Sequence, residues 1–328
     1  MTRLVGAALL GGLLAVPAGC GRAPEHVAPT AASDPVPATA PGPASAPAGP
    51  TGGVGGGSAG ASAGGSAGAS AGSSAEAGTR RFDHVVVAVF ENKSYDHVAG
   101  HPKAPYLNGL FKRAAVFTNA HAVAHPSQPN YLALFSGSTQ GVTDDHCPVD
   151  LKGQPNLGRQ LLDAHLGFAG YSEDMPKAGY LGCKFAGYAA KHNPWVDFDN
   201  VPASANQPYT AFPSDFAKLP AVSFMVPNLC NDMHDCGTAA GDKWAEAHLD
   251  GYLRWADQHN SLLIITFDEN DGSPQNQILT LFAGAGVKPG LYSEPVDHYR
   301  VLRTIEAIYG LAPIGNAAKA TPITGTWR

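Results

Sequence analysis

The chain has 328 residues, a formal net charge of -6 and 44% hydrophobic residues. Its acidic balance, with no Lys/Arg cluster and no interleaved aromatic pattern, excludes a general nucleic-acid surface and points to small-molecule substrates. Thirty-nine glycines overstate the glycine content of the folded part, because many of them fall before residue 80.

Thr2-Arg3, an apolar stretch over residues 4–16 and small residues before Cys20 together read as a secretory signal. An apolar core of roughly 13 residues is too short for a stable membrane span. The run Val16-Pro17-Ala18-Gly19-Cys20 resembles a bacterial lipoprotein box, which makes Cys20 the acylated residue. Pro17 is unusual at its place in such a box, and ordinary signal cleavage nearby is the alternative. Residues 21–79 are almost all Ala, Gly, Ser and Pro and cannot build a core. As a flexible tether of 59 residues they reach about 40 Å, enough to hold a domain clear of a membrane or envelope. Residues 80–328 suffice for one α/β domain.

The first strand covers residues 85–90, an all-apolar run that suits a strand covered on both faces of a parallel sheet, and it ends in Glu91-Asn92. Residues 117–123 read as a short strand or extended approach to Ala124-His125-Pro126-Ser127-Gln128-Pro129-Asn130, and a helix follows over 131–135. Helices are also expected over 157–165, 242–258 and 298–309. Further strands are expected over 167–171, 221–226, 262–267 and 278–282. The strand over 262–267 ends in a second acidic pair, Asp268-Glu269. The alternation predicts an α/β fold with a mostly parallel central sheet flanked by helices.

Ligands in parallel sheets collect at the carboxyl ends of strands. If the two acid-terminated strands run the same way, Glu91, Asn92, Asp268 and Glu269 meet at one rim, where oxygen donors suit a divalent cation. Ser127 is the candidate nucleophile, because Pro129 suits a first helical turn and places the serine near unsatisfied N–H groups and a positive helix end. A plain N-cap serine is the competing reading. A serine hydroxyl needs a base, a lowered pKa or a metal to attack at neutral pH. His234 beside Asp235, and His192 before Asn193-Pro194, are candidate proton donors or phosphoryl contacts, and His125 is placed to orient the Ser127 loop.

With Cys20 assigned to the leader, Cys147, Cys183, Cys230 and Cys236 remain, an even number in an exported domain. Disulfides are favoured over a zinc site. Cys230 with Cys236 is the local pairing, which leaves Cys147 with Cys183.

Five segments together resemble the phosphoesterase family of bacterial phospholipases C and secreted acid phosphatases, within the alkaline-phosphatase-like superfamily. They are Glu91-Asn92-Lys93-Ser94-Tyr95-Asp96-His97, His125-Pro126-Ser127-Gln128-Pro129-Asn130-Tyr131, Lys191-His192-Asn193-Pro194, Asn231-Asp232-Met233-His234-Asp235 and Thr266-Phe267-Asp268-Glu269. The resemblance implies phosphoryl transfer through a phosphoserine at a divalent metal centre. It assigns Glu91, Asn92, Ser127, Asp268 and Glu269 to the metal and Ser127 to attack. It places His192 and His234 at the phosphoryl group or leaving oxygen, and His125, Asn130 and Asp235 join them as the expected substrate contacts. Asn270-Asp271-Gly272 departs from the histidine and two glycines of phospholipase-like members, so the compact acid-phosphatase branch is nearer.

The expectation is an exported, lipid-anchored phosphomonoesterase acting on a small phosphate ester. It meets the membrane only through its anchor and binds no nucleic acid. A phospholipase C-like phosphodiesterase and a non-catalytic phosphate-binding lipoprotein are the alternatives.

Overall fold

The computed structural model describes residues 75–328. Cys20, the leader over 1–20 and the tether up to residue 74 lie outside the described residues. The strands are β1 (His84–Phe90), β2 (Ala114–Phe117), β3 (Phe168–Ser172), β4 (Lys184–Phe185), β5 (Tyr188–Ala189), β6 (Asn206–Pro208), β7 (Val222–Val226), β8 (Ser261–Phe267), β9 (Thr280–Gly284) and β10 (Gly290–Tyr292). The α-helices are α1 (Pro105–Leu110), α2 (Ser127–Ser136), α3 (Leu157–Asp163), α4 (Thr238–Ala256) and α5 (His298–Tyr309).

Eight strands form one sheet in the order β10-β2-β9-β8-β1-β7-β3-β6. Only β9 runs against its neighbours. β4 and β5 form a separate small hairpin. This is the mostly parallel α/β fold expected from the sequence. The centre of the sheet is apolar throughout: Val85 to Phe90 on β1 and Leu262 to Ile265 on β8 are wholly buried. Each large aliphatic or aromatic side chain so buried contributes about 1.5–3 kcal/mol.

Two elements differ from expectation near the site. The strand expected over 117–123 lies earlier, at β2, and residues 118–124 form a loop instead. Ala114 and Ala115 have little strand propensity of their own, but both pair with β9, and Ala115 pairs with β10 as well. The second is α2, whose residues are all buried, polar ones included. A helix buried on every side shows no amphipathic stripe, so periodicity found only its apolar second half. It stops at Gly137, where φ is 69° and a Cβ would lie 2.4 Å from the Ile314 carbonyl oxygen. The folded body also reaches back before residue 80: Glu76 N–H donates to the Ala307 carbonyl at 2.9 Å.

Glu306 on α5 is wholly buried. Its Oε1 accepts the Ile314 N–H at 3.0 Å, and its Oε2 has no hydrogen-bond partner. Burial pushes this carboxyl up to about 8. A carboxyl raised on folding holds its proton more tightly in the native state. Its contribution is therefore present below the unfolded-state pKa and lost as pH rises to about 8. Glu306→Gln keeps the acceptor and removes the ionisation. Urea unfolding between about pH 5 and pH 8 should show a shallower loss of stability in the variant, by up to about 1.4 kcal/mol per pH unit. An unchanged slope would contradict this assignment.

Candidate active site

β1 and β8 pair in parallel from His84 opposite Ser261 to Phe90 opposite Phe267. The next residue of each strand is the first of its acidic pair. Asp268 N–H donates to the Phe90 carbonyl at 2.9 Å, which carries the pairing one step beyond the strands. Asn92 turns back with φ of 48°, a left-handed value that asparagine tolerates, and its N–H donates to Asp268 Oδ1 at 3.1 Å. The two acidic pairs thus meet at one rim.

Ser127 is the first residue of α2, and its side chain is buried between the two pairs. Its Oγ donates within reach of Glu91 Oε2 at 3.0 Å and Glu269 Oε1 at 3.1 Å. Tyr131, one turn on, donates its hydroxyl to Glu91 Oε1 at 2.6 Å. Asn92 Nδ2 donates to Glu91 Oε2 at 3.0 Å. His125 Nδ1 contacts Glu269 Oε2, which ties the Ser127 loop to the second acidic pair.

Burial raises Glu91 well above the usual carboxylate range, and the Asp232 charge adds to it. It raises Asp268 in the same way, with Glu91 and Glu269 adding to the shift. Glu269 is raised by burial, and Asp232 is pushed by burial to about 7. Asp268 Oδ2 and Asp232 Oδ2 are buried with no hydrogen-bond partner. Buried carboxylates that repel one another and carry unpartnered oxygens fit a divalent cation, which supplies the missing positive charge. Glu91, Asn92, Ser127, Asp268 and Glu269 could hold it, as the sequence suggested. Glu91, His192 and His234 form a second possible donor set, with one ligand atom from each within 4.8 Å of the others.

The loop between Cys230 and Cys236 presents His234. The bridge holds their Cα atoms 4.6 Å apart, and the second bridge joins Cys147 to Cys183 at 5.8 Å. Both are the pairings read from the sequence. Inside the short loop Met233 has φ of 82° and is wholly buried. Gly241 of α4 makes room for it, since a Cβ there would lie 2.5 Å from Met233 Cε. His234 N–H donates to Asp232 Oδ1 at 2.7 Å, and its Nδ1 lies 2.7 Å from Asp235 Oδ1. Asp235 therefore orients His234. Asn92, Lys93, His125, His234 and Asp271 line an open cavity of about 600 Å³ above the acidic pairs. A larger groove of about 780 Å³ beside α5 passes His121 and Tyr299 and contains none of these carboxylates.

Two expected roles change. Asn130 is wholly buried, and its side chain accepts the Val123 and Ala124 N–H groups and donates to the Ala124 and Pro126 carbonyls. Its amide is thus engaged in bracing the loop that carries Ser127, a supporting role that the sequence did not suggest. His192 is buried and stacked on Tyr131 with ring centroids 5.1 Å apart. Its Nε2 lies 3.1 Å from Glu91 Oε1 and its Nδ1 3.3 Å from Asp232 Oδ2, neither in hydrogen-bond alignment. Burial, with Lys191 adding to it, holds His192 well below the ordinary histidine value. A neutral, enclosed imidazole suits ligation or support of Glu91 rather than proton donation. Tyr131 and Asp232 were quoted in the sequence motifs without roles; only their contact with Glu91 and His192 reveals them.

Opening either bridge separates positioning from stability. In the chain-entropy account, Cys230→Ser with Cys236→Ser should cost about 2 kcal/mol and Cys147→Ser with Cys183→Ser about 4 kcal/mol. The short-loop variant should nonetheless lose at least about tenfold in turnover per folded molecule, because it releases His234. Denaturant unfolding beside active-site titration measures both. Full turnover by the folded short-loop variant would contradict the positioning role.

Over residues 101–312 the chain matches the Phosphoesterase family. It is 49% identical over 248 residues to the phosphatidylinositol-3-phosphatase of Mycobacterium tuberculosis, covering 75% of this chain and 83% of that protein. It is 31% identical over 255 residues to the phosphate-repressible acid phosphatase of Penicillium chrysogenum, covering 71% of this chain and 60% of that protein. An alkaline phosphatase superfamily protein from Vibrio parahaemolyticus shares the fold with a TM-score of 0.54 at 12% identity, over 76% of this chain and 72% of that one. The lipoteichoic acid synthase of Listeria monocytogenes does so with a TM-score of 0.53 at 10% identity, over 79% of this chain and 80% of that one. The chain belongs to the phosphoesterase family and is a hydrolase acting on phosphate ester bonds.

Proposed function

We propose that this protein is an exported, metal-dependent phosphomonoesterase of acid-phosphatase type that works through a phosphoserine at Ser127. The observation that carries the reading is the placement of Ser127 Oγ at a helix N-terminus, within hydrogen-bond distance of both Glu91 and Glu269. A bound divalent cation would neutralise charge on a phosphoryl oxygen and make the serine a better nucleophile. Glu91 and Glu269 hold the hydroxyl in place, and one of the two accepts its single proton. The Ser127 oxygen attacks phosphorus, a new P–O bond forms, and the ester P–O bond breaks. His234, oriented by Asp235 at the cavity wall, gives the departing alkoxide a proton. Water then attacks the phosphoserine and gives a proton back to His234, the Ser127 Oγ–P bond breaks to release phosphate, and the serine oxygen recovers the proton held by the carboxylate.

The relatives' names support monoesters over diesters, and Asn270-Asp271-Gly272 departs from the phospholipase-like pattern. The 49% identity to a phosphatidylinositol-3-phosphatase makes inositol-lipid phosphates the first substrates to try. Export is supported by the leader-like N-terminus and by two disulfides, and the lipoprotein box makes Cys20 the candidate anchor. The stretch read as a tether over residues 21–79 would then link that anchor to the catalytic domain, with its last residues packed on the folded body, as Glu76 is on Ala307.

Turnover of an alkyl phosphate, a nitrophenyl phosphate and a phosphodiester by the purified protein, before and after chelation, tests the reading. Monoesters should dominate, and chelation should abolish turnover until a divalent cation is restored. Ser127→Ala should remove turnover and the acid-stable phosphoenzyme trapped from labelled substrate. His234→Ala should slow the alkyl ester by about 10²–10⁴-fold and the nitrophenyl ester less, because a good leaving group needs little protonation. Near-normal turnover by Ser127→Ala would remove the serine from its role, and faster diester turnover would favour the phospholipase C-like alternative.

A further inference from the structure

Lys93 lines the cavity, and Lys191 stands next to its wall, beside His234. Lys93 Nζ donates to the Met233 carbonyl at 2.7 Å and the Asn92 carbonyl at 3.0 Å, so it staples the Cys230–Cys236 loop to the first acidic pair. Lys191 Nζ donates to Asp145 Oδ2 at 2.7 Å and lies 3.4 Å from His234 Nε2. Its third N–H has no partner among the described residues. Asp145 Oδ1, in turn, accepts the Gln128 N–H at 3.0 Å, in the first turn of α2 immediately after Ser127.

Lys191 is therefore fastened on one side to the turn that carries the nucleophile and stands on the other beside the proposed proton donor. Its side chain is 16% exposed, which shields the charge from bulk water while leaving it reachable. The Cys147–Cys183 bridge joins the segments on which Asp145 and Lys191 sit. Asp145 lies two residues before Cys147, and the Ala190 N–H donates to the Cys183 carbonyl at 2.9 Å.

A phosphate ester brings negative charge to a rim already occupied by Glu91, Asp268, Glu269 and Asp232. Positive charge aimed at the transferring group, beyond what the carboxylates would hold as metal, is what such a site requires. We infer that Lys191 is a further catalytic residue, donating a hydrogen bond to a non-bridging oxygen of the phosphoryl group at Ser127, and that Asp145 is the residue that positions it. The inference rests on the phosphoryl-transfer reading of the site. It adds a substrate contact made by the protein itself.

The test uses the full chain with its metal restored and inorganic phosphate as the probe. Lys191→Met should weaken phosphate binding, measured calorimetrically, by at least about tenfold and lower kcat/KM by about 10²–10³-fold. Metal content and thermal midpoint should stay at wild-type levels. Lys191→Arg should recover part of the phosphate affinity, which a merely structural lysine would not require. Asp145→Asn should weaken phosphate binding in the wild-type background and have little further effect beside Lys191→Met. A folded, metal-replete Lys191→Met protein that binds phosphate within about twofold of wild type would overturn the inference, as would equal weakness of the Met and Arg variants. Phosphate binding does not depend on which group attacks. Loss of the serine mechanism in Ser127→Ala would therefore be distinguishable from failure of the Lys191 assignment.

Discussion

The in-register parallel pairing of β1 with β8 is the contact on which the site depends. Both strands are apolar on each face, and the sheet buries them at its centre. A slip of one residue would turn each strand's side chains to the opposite face and separate Glu91 from Asp268. The tens of buried side chains around the strands thus hold two carboxylates that repel one another within one hydrogen-bonded frame. The fold supplies the stability that the site consumes.

Around that frame each functional group is held by a different element. The helix α2 delivers Ser127, and its burial on all sides leaves the serine little freedom. The Cys230–Cys236 loop delivers His234 from the side, plugged into the core by Met233. Rigid elements carry the carboxylates and Ser127, the proposed nucleophile, while His234, the proposed proton donor, sits on a short cross-linked loop. This division suits a reaction in which attack needs fixed geometry and the leaving alcohol varies in size.

The strands and both acidic pairs were legible in the sequence because their signals are local: uninterrupted apolar runs, each followed at once by charge. The short-loop disulfide was legible for the same reason. The bracing role of Asn130 was not legible, because an asparagine near a serine gives no hint that its amide will close a loop over residues 123–126. Ala114-Ala115 carried no strand signal, since their pairing comes from partners distant in sequence. Tyr131, Asp232, Lys191 and Asp145 acquire meaning only through contacts across the chain. The ion pair of Lys191 with Asp145 spans 46 residues and links two segments that the Cys147–Cys183 bridge also joins.

Burial raises Glu91 and Asp268, so a cation entering the rim should displace protons from its carboxyl groups. Calorimetric titration of a divalent cation into chelator-stripped protein near pH 6, in two buffers of different ionisation enthalpy, counts the protons released on binding. Wild type should release about one proton or more per cation, and Asp268→Asn should bind more weakly and release less. Cation binding without proton release, or release unchanged in Asp268→Asn, would contradict it.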